Sequence, residues 1–128
     1  MYKRTLVQSF NLAFGGLKYI FLTERNMKIH CAFALMAVAG CFIFKVSELE
    51  FIFVIFSIAL VFIAEAANTA FELLLDFVHG DRFHPDVKLL KDISAGGVLI
   101  AALNSFVIGI IIFVPKIYCL FNQVNCSL

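Results

Sequence analysis

Ala64-Glu65-Ala66-Ala67-Asn68-Thr69-Ala70-Phe71-Glu72-Leu73-Leu74-Leu75-Asp76-Phe77-Val78 is the stretch whose reading decides the fold. Its polar residues Glu65, Asn68, Glu72 and Asp76 fall at steps of three, four and four. On an α-helix that spacing stacks them along one face over roughly 16 Å. Ionisable groups in or near hydrocarbon cost about 2.5–3.5 kcal/mol each even on the lenient insertion scale, so three carboxylates and an amide in a row point to function.

The surroundings of that row are those of a membrane protein. Of 128 residues, 62% are hydrophobic and 16 are Phe, with a mean hydropathy of +0.99. That is more apolar surface than a soluble domain of this size can hide. The length allows about three spans of ~20 residues and no separate soluble domain. The expected architecture is all-α and integral to the membrane, one membrane-embedded domain over residues 1–128.

Three apolar stretches mark the spans. Residues 29–46 are interrupted only by His30 and Lys45, and Leu49 to Ala64 only by Glu50 and Ser57. Residues 93–114 carry Ser94, Asn104 and Ser105. The uninterrupted runs Cys31 to Phe44 and Phe51 to Ala64 (setting Ser57 aside) fall short of a bilayer, so polar flanks must complete the helices. The second span is read over residues 49–78, about 45 Å long, so its carboxylate end must leave the hydrocarbon. The polar row starts inside the membrane and climbs to its interface.

Lys3, Arg4, Lys18, Arg25, Lys28, Arg82, Lys88 and Lys91 fall on one side of these spans, and only Lys45 and Lys116 on the other. By the positive-inside rule the N-terminus and the Phe77 to Asp92 connection are cytoplasmic and the C-terminus is outside. Residues 1–22 lack the pattern of a cleaved signal peptide. Leu6, Val7, Phe10, Ala13, Phe14, Leu17, Ile20 and Phe21 recur at helical spacing, opposite Lys3, Arg4, Gln8, Asn11 and Lys18. This is the pattern of an amphipathic helix on the cytoplasmic leaflet. A core helix is the plainer alternative, although so small a chain has little soluble core to cover. Thr23-Glu24-Arg25-Asn26 reads as the turn into the first span, with Glu24 level with the end of the carboxylate row.

Gly97, Ala101, Ser105 and Gly109 place a small residue at every fourth position of the third span, the spacing that lets helices approach closely in lipid. Whether the partner helix belongs to the same chain or a neighbour is not written in the spacing. Three helices alone leave much of the polar row facing lipid, which favours a homo-oligomer. Cys31, Cys41, Cys119 and Cys126 show no CxxC spacing, and His30, His79 and His84 are not a metal pair on one helix, so neither a zinc site nor a redox pair is suggested. Gly15-Gly16-Leu17-Lys18 lacks the frame of a phosphate loop. No nucleic-acid partner is expected.

Carboxylates near a cytoplasmic interface can hold Mg²⁺ carried by a nucleotide, and a deeper one can act as general base on a hydroxyl arriving from the bilayer. The same row can equally relay protons or bind a cation in transport. Lys88, Lys91 and Arg82 nearby lean towards a phosphate-bearing substrate, although a solvated basic loop needs no such role.

The run Ala64-Glu65-Ala66-Ala67-Asn68-Thr69-Ala70-Phe71-Glu72, with Asp76 one turn on and Lys91-Asp92-Ile93-Ser94-Ala95-Gly96 after a loop, resembles the signature of the prokaryotic diacylglycerol kinase family. Glu24-Arg25-Asn26-Met27-Lys28-Ile29-His30 is also similar, and closer to its undecaprenol kinase branch than to its enterobacterial diacylglycerol kinase branch. The resemblance runs from about Lys3 to Lys116. It implies a small homotrimeric kinase of the bacterial inner membrane, with three transmembrane helices and an N-terminal amphipathic helix in each protomer. Such an enzyme transfers the γ-phosphate of Mg-ATP to the hydroxyl of a lipid alcohol at sites shared between protomers. By resemblance, Glu65 is the general base and Asn68 helps position it. Glu24 and Glu72 hold the metal, and Asp76, Lys91 and Asp92 line the nucleotide site with Phe83 and His84. Positioning and charge stabilisation supply most of phosphoryl-transfer catalysis, and these residue types suit both. A carboxylate at the membrane edge suits proton abstraction better than an exposed one, and Glu65 is deepest in the row. For Asp76, pairing with Lys91 or capping is the plainer role, and for Asn68 a hydrogen bond across helices.

The sequence also departs from the enterobacterial pattern. Where that branch has an N-terminal Arg in the site, this register places Thr5, with Arg4 one residue away; His30 stands at an acidic position, and the loop between Asp76 and Lys91 is one residue longer. These differences bear on the lipid more than on the reaction, and favour undecaprenol over diacylglycerol by analogy. A small cation or proton carrier would use the same carboxylates without ATP, and a non-catalytic adaptor would tolerate Glu65→Gln. Neither accounts for Glu24, Glu72 and Lys91-Asp92 occurring together.

Overall fold

The computed structural model describes residues 4–80 and 84–122. Phe83, Lys3, Arg82 and Cys126 lie outside them. The described residues form four helices: α1 Leu6–Thr23, α2 Arg25–Ile43, α3 Glu48–His79 and α4 Pro85–Asn122. The last three are long and apolar enough to cross a membrane. Helices suit lipid, because each satisfies its backbone polar groups within its own segment.

The helix ends are fixed by local chemistry. Thr5 caps α1 and Ser47 caps α3, each in a capping box closed by Gln8 and Glu50 respectively. α2 follows α1 after a break at Glu24, whose backbone is extended (φ −80°, ψ 123°). α2 ends in a Schellman turn: Val46 N–H donates to the Cys41 carbonyl at 3.1 Å and Lys45 N–H to that of Phe42 at 3.4 Å, with Lys45 left-handed at φ 49°. Gly80, at φ 61°, ends α3.

The third expected span lengthens on its N-terminal side. α4 begins at Pro85 rather than near Ile93, so Lys88, Lys91 and Asp92 stand on its first turns instead of in a connecting loop. Proline is preorganised for the first helical position, and Asp86 complements the positive end of the helix dipole. With 32 residues α3 is roughly 48 Å long, well beyond a hydrocarbon core of about 30 Å, so one end projects from it.

The α3–α4 seam is the most extensive contact, α2 packs on α3, and α1 rests on α2 and α3. No residue of α1 is buried. Its Phe21 meets Phe62 of α3 edge-on, with centroids 5.8 Å apart. Val54, Ser57, Val61, Glu65 and Asn68 form the buried face of α3, while most large apolar side chains elsewhere are exposed on the helices' outer surfaces. The seam carries two polar ties. Ser105 Oγ lies 3.3 Å from Ser57 Oγ, which donates to the Val54 carbonyl, and Lys116 Nζ lies 3.1 Å from Glu50. Within this chain the small-residue stripe of α4 is not one packing face: Ala101 is buried, whereas a Cβ built on Gly97 or Gly109 would meet nothing within 4 Å. Cys31 and Cys41 are free, and Cys119 is disulfide-bonded, a pairing that the cysteine spacing does not suggest.

A left-handed conformation costs an L-residue roughly 1–2 kcal/mol, part of which glycine recovers. Lys45→Gly is therefore expected to stabilise the chain by about 0.5–1 kcal/mol, measured as a higher midpoint of unfolding in mixed micelles.

Candidate active site

The polar row of α3 is a gradient of exposure. Glu65 is 1% exposed and Asn68 6%, Glu72 is half-buried, and Asp76 is exposed. Helical geometry puts the four on one face, and the tilt of that face from the seam to the free end of α3 sets their depth. Thr69, absent from the sequence-based set, is buried beside Asn68.

At the deep end two polar atoms lack partners. Glu65 Oε2 and Asn68 Oδ1 are buried without a hydrogen bond. Such atoms are costly, and where they persist they mark sites that something else completes. Asn68 is not bonded across helices. Its amide donates to Glu72 Oε1 at 3.2 Å along α3, leaving its carbonyl oxygen free.

The first turns of α2 close over this end. Met27 is almost fully buried there. Glu24, His30 and Glu72 act on Glu65 electrostatically, and the side chain of Asn26 reaches it. Glu24 and Glu72 thus act on one carboxylate from two helices. Asn26 and His30 are neighbours of Glu65 that the sequence did not assign to it. Their i, i+4 spacing on one face of α2 is the only local sign.

At the exposed end Lys91 of α4 pairs with Asp76 of α3, so the plainer role for Asp76 is realised. His84 Nδ1 accepts the Asp86 N–H at 3.3 Å, at the start of α4, and the His84 ring stacks obliquely near His79, centroids 5.5 Å apart. Asp92 is exposed on the next position of α4 after Lys91. Thr5 is committed to capping α1, its hydroxyl accepting the Gln8 N–H at 3.3 Å.

Among the described residues no three metal-ligating side chains converge. Magnesium brought by a nucleotide is held by one or two carboxylates together with phosphate oxygens and water rather than by a protein cage. Glu24 and Glu72 are the carboxylates that fit. The arrangement is a dry carboxylate at one end of a row and a wetter, cation-bearing cluster at the other.

Comparison with known proteins gives the family of the chain. The family model for prokaryotic diacylglycerol kinase matches residues 11–113. A diacylglycerol kinase of Synechocystis is 30% identical over 115 residues, which cover 90% of this chain and 66% of the relative. An undecaprenol kinase of Bacillus subtilis is 37% identical over 95 residues, covering 74% of this chain and 76% of the relative. The chain belongs to the prokaryotic diacylglycerol kinase family, and so to the class of ATP-dependent membrane lipid kinases.

The Asp76–Lys91 pair is substantially exposed, at 58% and 34% for the two side chains. Exposed pairs contribute at most about 1 kcal/mol. Lys91→Met is expected to change unfolding stability by less than that, while raising the KM for ATP. A stability loss without a change in KM would make the pair purely structural.

Proposed function

We propose that the chain transfers the γ-phosphate of Mg-ATP to the hydroxyl of a lipid alcohol, undecaprenol before diacylglycerol. The observation that carries this reading is the buried, unpartnered oxygen of Glu65 at the membrane end of the row. In the proposed reaction the lipid hydroxyl oxygen bonds to the γ-phosphorus while its proton passes to the Glu65 carboxylate. The bond from that phosphorus to the bridging oxygen breaks, and its electron pair leaves on ADP. Asn68, tied to Glu72, holds the geometry of the base and the hydroxyl. Glu24 and Glu72 would hold the magnesium, which when bound would supply neutralisation of charge on the phosphate oxygens. Lys91 supplies a fixed cation, Asp76 and Asp92 orient it and the nucleotide, and His84 and Phe83 are assigned to the nucleotide site by the family resemblance alone. Arg4, one residue before the committed cap Thr5, is the better candidate for an N-terminal contact with ATP.

The excess of basic residues on one side supports placing the nucleotide end in the cytoplasm, with the protein multi-pass in a bacterial inner membrane. A homotrimer with shared sites is the assembly this reading adopts, and the outer surfaces of the helices leave apolar area for it. Undecaprenol is preferred because the N-terminal motif around Glu24 and His30 is closer to that branch. The Synechocystis relative's name keeps diacylglycerol as the second reading.

Phosphate transfer by the purified chain in lipid micelles, with the two lipids offered separately, tests the proposal. Labelling of undecaprenol alone supports the preferred lipid, and preferential labelling of diacylglycerol reverses it. Glu65→Gln is expected to lower turnover by roughly 10²–10⁴-fold, the usual worth of a general base, with little change in folding. Glu72→Gln is expected to raise the Mg²⁺ concentration needed for half-maximal rate. Wild-type rates in both variants would sink the assignment.

A further inference from the structure

Asp76 and His79 stand three residues apart on one face of α3, and each meets the start of α4. Asp76 pairs with Lys91, and the His79 ring packs on the His84 ring with centroids 5.5 Å apart and planes inclined by 38°. Among the described residues His79 makes no hydrogen bond and no ion pair, so the ring contact is what ties it. His84 is also held by the backbone. Its Nδ1 accepts the Asp86 N–H at 3.3 Å, so on the neutral ring the proton sits on Nε2. The Asp86 carboxylate lies 3.8 Å from the same Nδ1, too far for a hydrogen bond. The Nε2–H is left as a donor without an acceptor among the described residues. His84, Lys88 and Lys91 follow at steps of four and three, which puts a donor or a cation at three levels of one helix face. Lys88 is exposed and, among the described residues, unpaired.

We propose that His79 is a positioning residue for the nucleotide: its ring holds the His84 ring so that Nε2–H donates to a phosphate oxygen of ATP, on the same face as Lys88 and Lys91. The inference rests on the lipid kinase reading with His84 at its nucleotide end. It goes beyond that reading by giving a role to a residue outside the assigned site and by naming the atom that His84 offers. The gain is preorganisation. An exposed ring turns about two side-chain bonds, whereas a ring with one nitrogen on a backbone N–H and one face against a second ring is ordered before the nucleotide arrives. Ordering a free side chain on binding weakens affinity by about two- to tenfold, and loss of the His79 ring returns that cost. A metal ion bridging the two rings fits less well. Ligation through His84 Nε2 would move the ring proton to Nδ1, where the Asp86 N–H is already received, and among the described residues no third ligand completes a set.

The experiment uses the full chain in lipid micelles, with lipid alcohol in excess. It measures kcat, the KM for Mg-ATP, the Kd of a non-hydrolysable ATP analogue and the ring nitrogen resonances of His84. His79→Ala is expected to raise the KM and the Kd by about two- to tenfold, with kcat and the KM for the lipid unchanged, and to replace the single tautomer of His84 by a mixture. His79→Phe, which keeps a ring face without its nitrogens, is expected to stay near the wild type. His84→Phe, which keeps the ring contact without the N–H, is expected to raise the KM for Mg-ATP at least as much as His79→Ala. Inorganic tripolyphosphate is expected to compete with the analogue and to lose affinity by the same factor in His79→Ala, and an unchanged affinity for it would overturn the phosphate contact. A His79→Ala that lowers only the unfolding midpoint, or a His79→Phe as impaired as His79→Ala, would overturn the positioning role while wild-type transfer left the kinase reading standing. Transfer by the wild type to neither undecaprenol nor diacylglycerol would remove the kinase reading, and the inference with it.

Discussion

A carboxylate buried against hydrocarbon, with one oxygen left without a hydrogen bond, is the constraint on which the rest of this molecule depends. Glu65 can be held there only if its own helix satisfies the backbone around it and neighbouring helices keep lipid away. α3 meets the first condition by running unbroken from Glu48 to His79. α2 meets the second, bringing Met27, Asn26 and His30 over the carboxylate within its first two turns. The break at Glu24 turns the chain from α1 into α2 without spending residues on a loop.

From that point the row becomes wetter towards the free end of α3. Burial at Glu65 and exposure at Asp76 are two ends of one helix face, separated by length alone. A phosphoryl-transfer site joining a water-soluble donor to a membrane-soluble acceptor needs both environments within reach of each other. The Asn68–Glu72 hydrogen bond links the buried end of the row to the wetter one along α3.

The opposite end of the bundle is built for rigidity. Ser47 and Glu50 cap α3, Glu50 also takes Lys116 from α4, and Ser57 and Ser105 bond across the seam. These ties hold α3 and α4 together, while α2 meets α4 closely at Gly40 and Phe113. A groove lined by residues of α2, α3 and α4, His30 among them, accompanies that layout. Close approach at one level leaves separation above it, towards His30.

Much of this was legible in the residues. Helical spacing put Glu65, Asn68, Glu72 and Asp76 on one face, and apolar length marked three spans, because periodicity and hydrophobic length are properties of consecutive residues. The true start of α4 was less visible: Lys88, Lys91 and Asp92 are polar, so hydropathy alone assigned them to a loop, although Pro85 and Asp86 carry the start signal. Tertiary structure alone decided which residues meet across helices. It brought Asn26 and His30 to Glu65, paired Lys91 with Asp76, turned Asn68 along its own helix, and separated Ala101 from Gly97 and Gly109 within a single stripe. Such relations depend on the distance and rotation between helices, which packing fixes and no local pattern encodes.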